Sequence, residues 1–131
     1  MWLYEGKELA EVPEQVIGFV YIITNLETNR RYIGKKLFTF AKTKQVKGKK
    51  KRFRAESNWR EYFGSSDELL DDITAAGEDM FKREIVRLCK TKGECSYYEA
   101  KLQFAMEVLE HPSDFYNQQI RVRVHRSHLK S

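Results

Sequence analysis

Two tyrosines stand where proton transfer could be arranged. Tyr21 ends the tripeptide FVY, and after ten intervening residues Tyr32 begins the tripeptide YIG. A phenol hydroxyl is a poor base at neutral pH unless its pKa is lowered, and a neighbouring cation lowers it. Lys35 and Lys36 follow the second tripeptide directly, so we expect them to supply that positive charge.

A β-hairpin is the element that must position both tyrosines. Residues 16–24 and 31–38 are rich in β-branched and aromatic side chains, and the segment between them has turn composition. If Thr24 pairs with Arg31, the two tyrosines share one face of the hairpin. A register shifted by one residue would place them on opposite faces.

The charge of the chain is strongly segregated. Residues 35–54 hold ten Lys or Arg and no acid, and residues 120–131 hold four more and no acid, whereas the rest carries ten basic and nineteen acidic residues. An acidic body with two basic appendages favours a polyanionic partner. We interpret 35–54 as a mobile basic loop or arm, and 118–131 as a basic C-terminal tail or edge strand because IRVRV alternates.

The remaining elements follow from periodicity and caps. Residues 57–63 suit a short helix, and SSDELLDDITAAG predicts a second helix in which Ser65 and Glu68 form a capping box. FKREIVRLC at 81–89 predicts a third strand. A long helix is predicted over 96–110, with an apolar face formed by Tyr98, Leu102, Ala105, Met106 and Leu109.

Length and composition indicate a single domain over 1–131. The chain lacks an apolar run long enough to span a bilayer, and its N-terminus lacks the pattern of a secretion signal. Cys89 and Cys95 have neither metal-ligand spacing nor a disulfide-rich pattern, which suits free thiols in a reducing compartment. We therefore expect an intracellular, cytoplasmic protein that contacts no membrane.

The FVY and YIG tripeptides at this spacing resemble the signature of the GIY-YIG nuclease family, with FVY in place of the first motif. The order of hairpin, helix, third strand, glutamate-bearing helix and late asparagine is also similar over most of the chain, and LLDDITAAGEDMFKREIVRLC is similar to the segment after the hairpin in many phage-type members. The resemblance implies an α/β (α+β) fold in which a three-stranded antiparallel sheet is flanked by helices. It also implies hydrolysis of DNA phosphodiesters with one divalent metal, Mg²⁺ or Mn²⁺, and no small-molecule cofactor.

The resemblance also implies roles for individual residues. Tyr21 and Tyr32 match the two motif tyrosines, Glu99 the metal-binding glutamate, and Asn117 the asparagine of the final loop. A hard ion such as Mg²⁺ keeps several waters, so one carboxylate and the substrate phosphate can hold it. The residues assigned to DNA contacts are Lys35, Lys49, Lys50, Lys51, Arg52, Arg54, Ser65, Arg121 and Arg123.

The catalytic arginine is where this chain departs from the family pattern. The basic insertion separates Gly34 from the next helix, which leaves Arg60 as first choice and Arg54 or Arg52 as rivals. Lys36 could share the role, because some relatives use a lysine or histidine just after the second motif.

Several of these residues also have purely structural interpretations. Glu99 and Ser96 fit a capping box, Asn117 could shape a turn, and Ser65 could cap a helix. Glu94 stays open as a rival to Glu99 for the metal-binding role. His125 and His128 lack nearby acids or cysteines and suit phosphate contacts or plain surface better than a metal site.

Two other classes of function stay open. One is a nucleic-acid-binding module that keeps the fold and has lost cleavage, and the other is a protein-interaction domain whose basic arm docks on an acidic partner. For the nuclease we expect double-stranded DNA as substrate, and a phage origin follows from the resemblance alone. The residues do not determine the target of cleavage, whether one strand or both are cut, or whether the protein is a monomer or a dimer.

Overall fold

The computed structural model describes residues 1–129. The strands are β1 (Trp2–Tyr4), β2 (Lys7–Glu8), β3 (Gly18–Asn25), β4 (Arg31–Leu37), β5 (Thr39–Val46), β6 (Lys49–Glu56) and β7 (Phe81–Cys89), and the helices are α1 (Asp67–Ala76) and α2 (Lys92–Ala105). Short 3₁₀ turns span Glu78–Met80 and Arg126–Leu129. Neither helix in this described part is long and apolar enough to cross a membrane.

The central sheet has five strands in the order β2-β1-β7-β3-β4. The prediction of a mixed α+β fold is confirmed, but the prediction of a three-stranded antiparallel sheet is wrong, because β1 adds to β7 in parallel and β2 folds back on β1. The cause is Trp2, which is 1% exposed and donates its indole N–H to the Trp59 carbonyl over 2.6 Å. Burying so large a ring ties the N-terminus to the sheet.

The predicted hairpin forms, and its register is the one that places both tyrosines on the same face. Thr24 pairs with Arg31 and Tyr21 pairs with Gly34. The turn is set by Asn25, whose side-chain oxygen accepts the backbone N–H groups of Glu27 and Thr28. Alternation along β3 then divides its side chains between the two faces of the sheet.

Each face of the sheet carries its own core. On the face covered by α1, the buried side chains are those of Trp2, Phe19, Tyr21, Ile23, Phe38, Trp59, Leu69, Ile73, Phe81, Ile85 and Tyr116. On the face covered by α2, they are those of Val20, Ile33, Cys89, Cys95, Val108 and Phe115. β4 is the edge strand of this sheet on the side away from β2.

The helix boundaries differ from the predicted ones at both N-termini. Ser66 and not Ser65 caps α1, since its hydroxyl oxygen accepts the Leu69 N–H. Thr91 caps α2, which therefore starts four residues before Ser96. The capping-box interpretation of Glu99 is wrong for this reason, because Glu99 lies in the third turn of α2.

Other predicted elements are also shifted. Residues 57–63 form turns and no helix, and α2 ends at Ala105 although a helix was predicted to residue 110. The side chains of Ala105 and Leu109 are exposed and do not belong to an apolar face. Cys89 and Cys95 are free thiols, and both are buried.

The basic segment forms a β-hairpin, so of the two predicted alternatives, a loop or an arm, the loop is wrong. β5 and β6 pair antiparallel over their whole length, from Thr39 opposite Glu56 to Val46 opposite Lys49. The two-residue turn between them holds Lys47 at φ 50° and Gly48 at φ 75°. Two positive φ values in succession match the twist of a hairpin.

The C-terminal segment forms no strand over 120–124, so the predicted edge strand is absent from the described residues. The edge of β4 is already occupied by residues 114–117, where Arg31 exchanges backbone hydrogen bonds with Asp114 and Tyr116. The tail instead returns to α2, where a Cβ at Gly93 would overlap the His128 ring. Residues 130 and 131 of the predicted basic tail lie outside the described part.

Candidate active site

A polar cavity of about 860 Å³ opens beside the edge of β4, where the two faces of the sheet meet. The predicted site residues that line it are Tyr32, Lys35, Ser65, Glu99, Asn117 and Arg121. They come from β4, the loop before α1, the middle of α2 and the C-terminal segment. The fold thus collects at one place side chains that are up to 89 residues apart in the chain.

The two tyrosines are neighbours with different access to this cavity. Their ring centroids lie 6.2 Å apart, but Tyr21 is 1% exposed and lies beneath Tyr32, which reaches the cavity. The Tyr32 hydroxyl is 3.0 Å from the Ser65 hydroxyl. Only Tyr32 is therefore placed to touch a molecule in the cavity.

Burial raises the pKa of both tyrosines, and the expected lowering by lysine is wrong. For Tyr21 the pKa rises well above the ordinary value, mainly through burial and also through Tyr62 and Tyr32. For Tyr32 burial again raises the pKa, against the opposing effect of the Ser65 hydrogen bond. Both hydroxyl groups are consequently protonated at neutral pH.

Gly34 is what allows the tyrosines to pack this closely. A Cβ at this position would overlap the Tyr21 hydroxyl, lie 2.6 Å from the Tyr21 Cζ and lie 3.0 Å from Tyr32 Cε2. The YIG glycine therefore serves the packing of the motif tyrosines against β4.

The two lysines after the motif point to opposite sides of β4. The Lys35 Nζ lies 2.6 Å from the Ser96 hydroxyl and 4.0 Å from the Glu99 carboxylate, on the α2 side. Lys36 lies on the other face, with its Nζ 4.3 Å from the centre of the Tyr62 ring. Burial lowers the pKa of Lys36. The alternation of the strand thus places Lys35, and not Lys36, in the cavity.

Glu99 is a mostly buried carboxylate at the cavity wall, with a side chain that is 14% exposed. Burial raises its pKa, and Lys35 partly opposes this through its ammonium group and its backbone. An ionised carboxylate in this position lacks much of its hydration and is favoured by a bound cation.

Asn117 completes the edge of β4 with its side chain. Its amide oxygen accepts the Ile33 N–H over 3.0 Å, and its amide nitrogen donates to the Ile33 carbonyl over 2.8 Å. The Gln103 amide nitrogen donates to the same carbonyl over 3.0 Å. The Gln103 Oε1 is buried and has no hydrogen-bond partner among residues 1–129, and Gln103 also lines the cavity.

Three further residues beside the site were not predicted from the sequence. Arg30 forms a bidentate pair with Glu68, with N–O distances of 2.7 and 3.1 Å, and its guanidinium lies 4.3 Å from the centre of the Tyr116 ring. Tyr116 donates its hydroxyl to Asp72 over 2.7 Å, which ties the C-terminal segment to α1. No pattern in the sequence pointed to Arg30 or Gln103, whereas Tyr116 stands next to Asn117.

Arg60, the first choice for a catalytic arginine, does not line the cavity. Its guanidinium binds the Glu56 carboxylate over 2.7 Å and the Ala10 carbonyl over 2.9 Å. Arg54 is held by Thr39 within the β5–β6 hairpin, and Arg52 lies further along the same strand. The predicted basic residues outside the cavity are Lys36, Lys49, Lys50, Lys51, Arg52, Arg54, Arg60 and Arg123.

Among residues 1–129, no three His, Cys, Asp or Glu side chains are grouped so that they could hold a metal ion by themselves. The His128 Nδ1 accepts the backbone N–H of His125, and the His125 Nδ1 lies 2.9 Å from the Ser127 hydroxyl. Asp67, Glu68 and Asp71 contribute further carboxylates to the α1 side of the cavity. A metal at this site would therefore need ligands from water or substrate besides the protein.

The fold and the paired tyrosines define a class of small α+β proteins built around a two-tyrosine hairpin. Residues 2–120 match the family model described as "Putative endonuclease segE, GIY-YIG domain". The chain belongs to the GIY-YIG nuclease family. Neither a comparison with curated proteins nor one with solved structures finds a match.

Proposed function

We propose that this chain is a metal-dependent endonuclease that hydrolyses phosphodiester bonds of double-stranded DNA. The observation that carries the proposal is the convergence of Tyr32, Lys35 and Glu99 on one open cavity in a chain of this family. The cavity offers a hydroxyl group, an ammonium group and a carboxylate. Phosphodiester hydrolysis uses groups of these kinds to orient water and neutralise developing charge.

The residues of the cavity fit a single hard cation. Glu99 supplies a carboxylate that burial leaves poorly hydrated, and Gln103 supplies a buried Oε1 that no hydrogen-bond donor in the described part of the chain contacts. Mg²⁺ prefers oxygen ligands and retains several waters, so these two oxygens with water and substrate phosphate suffice. When bound, the metal supplies positive charge against the scissile phosphate.

The tyrosines take unequal parts in the proposed reaction. Tyr32 is protonated at neutral pH, so its hydroxyl can accept a hydrogen bond from the attacking water or donate one to a phosphate oxygen. Tyr21 is buried, so it acts by supporting the Tyr32 ring from below. The hydrogen bond between Ser65 and Tyr32 orients the Tyr32 hydroxyl.

Lys35 and Arg121 are the basic side chains proposed to bind the substrate phosphates in the cavity. Lys35 stands beside Glu99, and the Arg121 Nε is held by Gln119 over 3.2 Å. An arginine can hold two phosphate oxygens at once, whereas a lysine acts as a point charge. Arg121 therefore takes the role that the sequence assigned to Arg60, Arg54 or Arg52.

A plasmid-nicking assay tests the proposal. We expect nicking with Mg²⁺ or Mn²⁺ and none with EDTA, and we expect Glu99→Ala and Tyr32→Phe to abolish it while DNA binding and folding persist. Glu94→Ala is the matched control, because Glu94 lies on the same helix outside the cavity. Metal-dependent nicking by Glu99→Ala at the unmodified rate would overturn the assignment.

A second pair of variants tests the basic residues. We expect Arg121→Ala to lower the nicking rate by roughly a hundredfold, the scale of losing one charge-stabilising donor. Arg60→Ala should leave the rate nearly unchanged, because Arg60 is engaged by Glu56 and Ala10. The reverse pattern would place the catalytic arginine outside the cavity and contradict the proposed site.

A DNA-binding module without cleavage is the second candidate. The position of Arg60, Arg54 and Arg52 outside the cavity favours it, since these were the arginines expected for catalysis. It predicts salt-dependent DNA binding that Glu99→Ala leaves unchanged and no nicking with any metal. A protein-interaction domain would instead bind DNA no better than an unrelated polyanion of equal charge.

A further inference from the structure

The β5–β6 hairpin projects from the protein as a two-stranded ribbon. Its strands pair with each other and with no other strand of residues 1–129, and nearly every side chain on it is exposed. Eight residues at about 3.3 Å each give the ribbon a length of roughly 26 Å. An isolated ribbon of this length contributes little to the hydrophobic core, so its exposed side chains are available to contact a partner molecule.

The two faces of the ribbon differ in chemistry. Directly opposite residues share a face, so the register assigns each side chain to one of them. One face, here called the lysine face, carries Phe40, Lys42, Lys44, Val46, Lys49, Lys51, Phe53 and Ala55. The other, here called the arginine face, carries Thr39, Ala41, Thr43, Gln45, Lys50, Arg52, Arg54 and Glu56.

The base of the ribbon is fixed next to the cavity. Phe38 is fully buried, the Ser57 N–H donates to its carbonyl over 2.8 Å, and Arg54 donates to the Thr39 carbonyl over 2.6 Å. A second cavity of about 280 Å³ lies between Phe40 and the start of α2, and Lys35 lines both cavities. The ribbon therefore leaves the protein beside the proposed cleavage site.

We propose that this ribbon enters the major groove of DNA next to the cleaved phosphate and that its arginine face reads base edges. The inference rests on the proposed function, because that function brings duplex DNA to the cavity. The major groove of B-form DNA is about 12 Å wide and admits a two-stranded ribbon, whereas the major groove of A-form RNA is too narrow for one.

The side-chain types fit base contacts on the arginine face and phosphate contacts on the lysine face. Arg52 can bind a guanine through two hydrogen bonds, and Gln45 can do the same with an adenine, while Thr43 suits either a base edge or a thymine methyl group. Arg52 and Thr43 are direct cross-strand partners near the outer half of the ribbon. The lysines of the other face act as point charges and suit phosphates, which carry no sequence information.

The length of the ribbon limits where the sequence preference falls. At about 3.4 Å per base pair, a ribbon of roughly 26 Å covers about seven to eight base pairs. Since its base is fixed beside the cavity, the preference should lie on one side of the cleaved bond. A nuclease that only followed the backbone would show no such preference.

The test is a binding selection from a library of randomised DNA duplexes at constant salt and in EDTA, which separates it from cleavage. We expect the unmodified protein to enrich a sequence preference within one window of about seven to eight base pairs. Arg52→Lys, which keeps the charge but loses the two-point contact, should weaken the preference at one position by about fivefold or more. Lys51→Arg is the matched control on the lysine face and should leave the preference unchanged.

The salt dependence of DNA binding tests the role of the lysine face separately. Lys44→Gln and Lys51→Gln should weaken binding equally for all sequences, and each should reduce the slope of log affinity against log salt by about 0.9. A change in sequence preference caused by these two substitutions would contradict the assignment of the faces.

The inference is overturned if the unmodified protein enriches no sequence, if Arg52→Lys enriches the same preference at full strength, or if RNA or an acidic protein competes better than duplex DNA. The first two outcomes are distinct from failure of the proposed function, whereas better competition by RNA or an acidic protein would count against both proposals. Nicking without sequence preference would remove the ribbon inference alone, whereas sequence-specific binding without nicking by any metal would remove the nuclease and keep the ribbon.

Discussion

Replacing Asn117 tests whether this residue acts through the backbone of β4 or through the substrate. In the structure its side chain satisfies both polar groups of Ile33, and Ile33 itself is completely buried. Asn117→Leu keeps a similar volume but can neither donate nor accept. The Ile33 carbonyl retains the Gln103 amide, whereas the Ile33 N–H loses its partner.

The size of the effect follows from these two bonds. An unsatisfied buried N–H costs about 1 to 3 kcal/mol, and loss of the second bond, whose acceptor stays satisfied, costs about 0.5 to 1.5 kcal/mol. The sum is roughly 2 to 4 kcal/mol, against a total stability of about 5 to 15 kcal/mol for a domain. Asn117→Ala should fall at the lower end, because water from the adjoining cavity can reach the Ile33 N–H.

Equilibrium unfolding in urea measures this difference. We expect a lower midpoint with an unchanged slope, and we expect Gln118→Ala, an exposed neighbour, to match the unmodified protein. Nicking should be measured where each variant is still folded. If Asn117→Leu unfolds at the unmodified midpoint yet fails to nick, Asn117 contacts the substrate and the reasoning from Ile33 is wrong.

Three further predictions follow from the site. Burial raises the pKa of Glu99, so its ionised carboxylate destabilises the folded state. This destabilisation is absent below the ordinary glutamate pKa of about 4.3, where the carboxyl is protonated in both states, and it is complete above the raised pKa. Glu99→Gln should therefore raise the free energy of unfolding more at pH 7.5 than at pH 3.5; a larger gain in acid would contradict this. Gly34→Ala should destabilise by about 1 to 3 kcal/mol, because its Cβ collides with Tyr21; an unchanged thermal midpoint would refute the close packing. Ser66→Ala should cost about 1 kcal/mol through loss of the α1 cap, while Ser65→Ala should cost much less; urea unfolding of both distinguishes the two serines.

Local patterns were enough to predict the hairpin that carries the motif. Its β-branched strands and its turn composition predict the two strands. The residues left two registers open, and the structure selects the one in which Thr24 pairs with Arg31. The third strand was predicted at its observed bounds, 81–89, for the same reason. The resemblance then supplied the family, which the match over residues 2–120 confirms.

Long-range contacts explain most of what was mispredicted. The parallel pairing of β1 with β7 depends on where the Trp2 ring is buried, and no neighbouring residue reports that. The basic ribbon lacks an apolar face, so the usual signal of a strand is missing, and only its Lys47–Gly48 turn hints at a hairpin. Ser65 and Ser66 are adjacent, and the structure shows that Ser66 caps α1 while the Ser65 hydroxyl contacts Tyr32.

By itself, the sequence determined the family, the two-tyrosine hairpin and the separation of basic from acidic segments, since each is a property of residue type and local spacing. Only the tertiary structure decided which of these residues share a cavity. Because side chains alternate along β4, Lys35 lies beside Glu99 and Lys36 lies over the Tyr62 ring. Gln103 and Arg121 line the cavity, whereas Arg60 does not. The reason is that the cavity forms at the edge of β4, where segments far apart in the chain meet on both faces of one sheet.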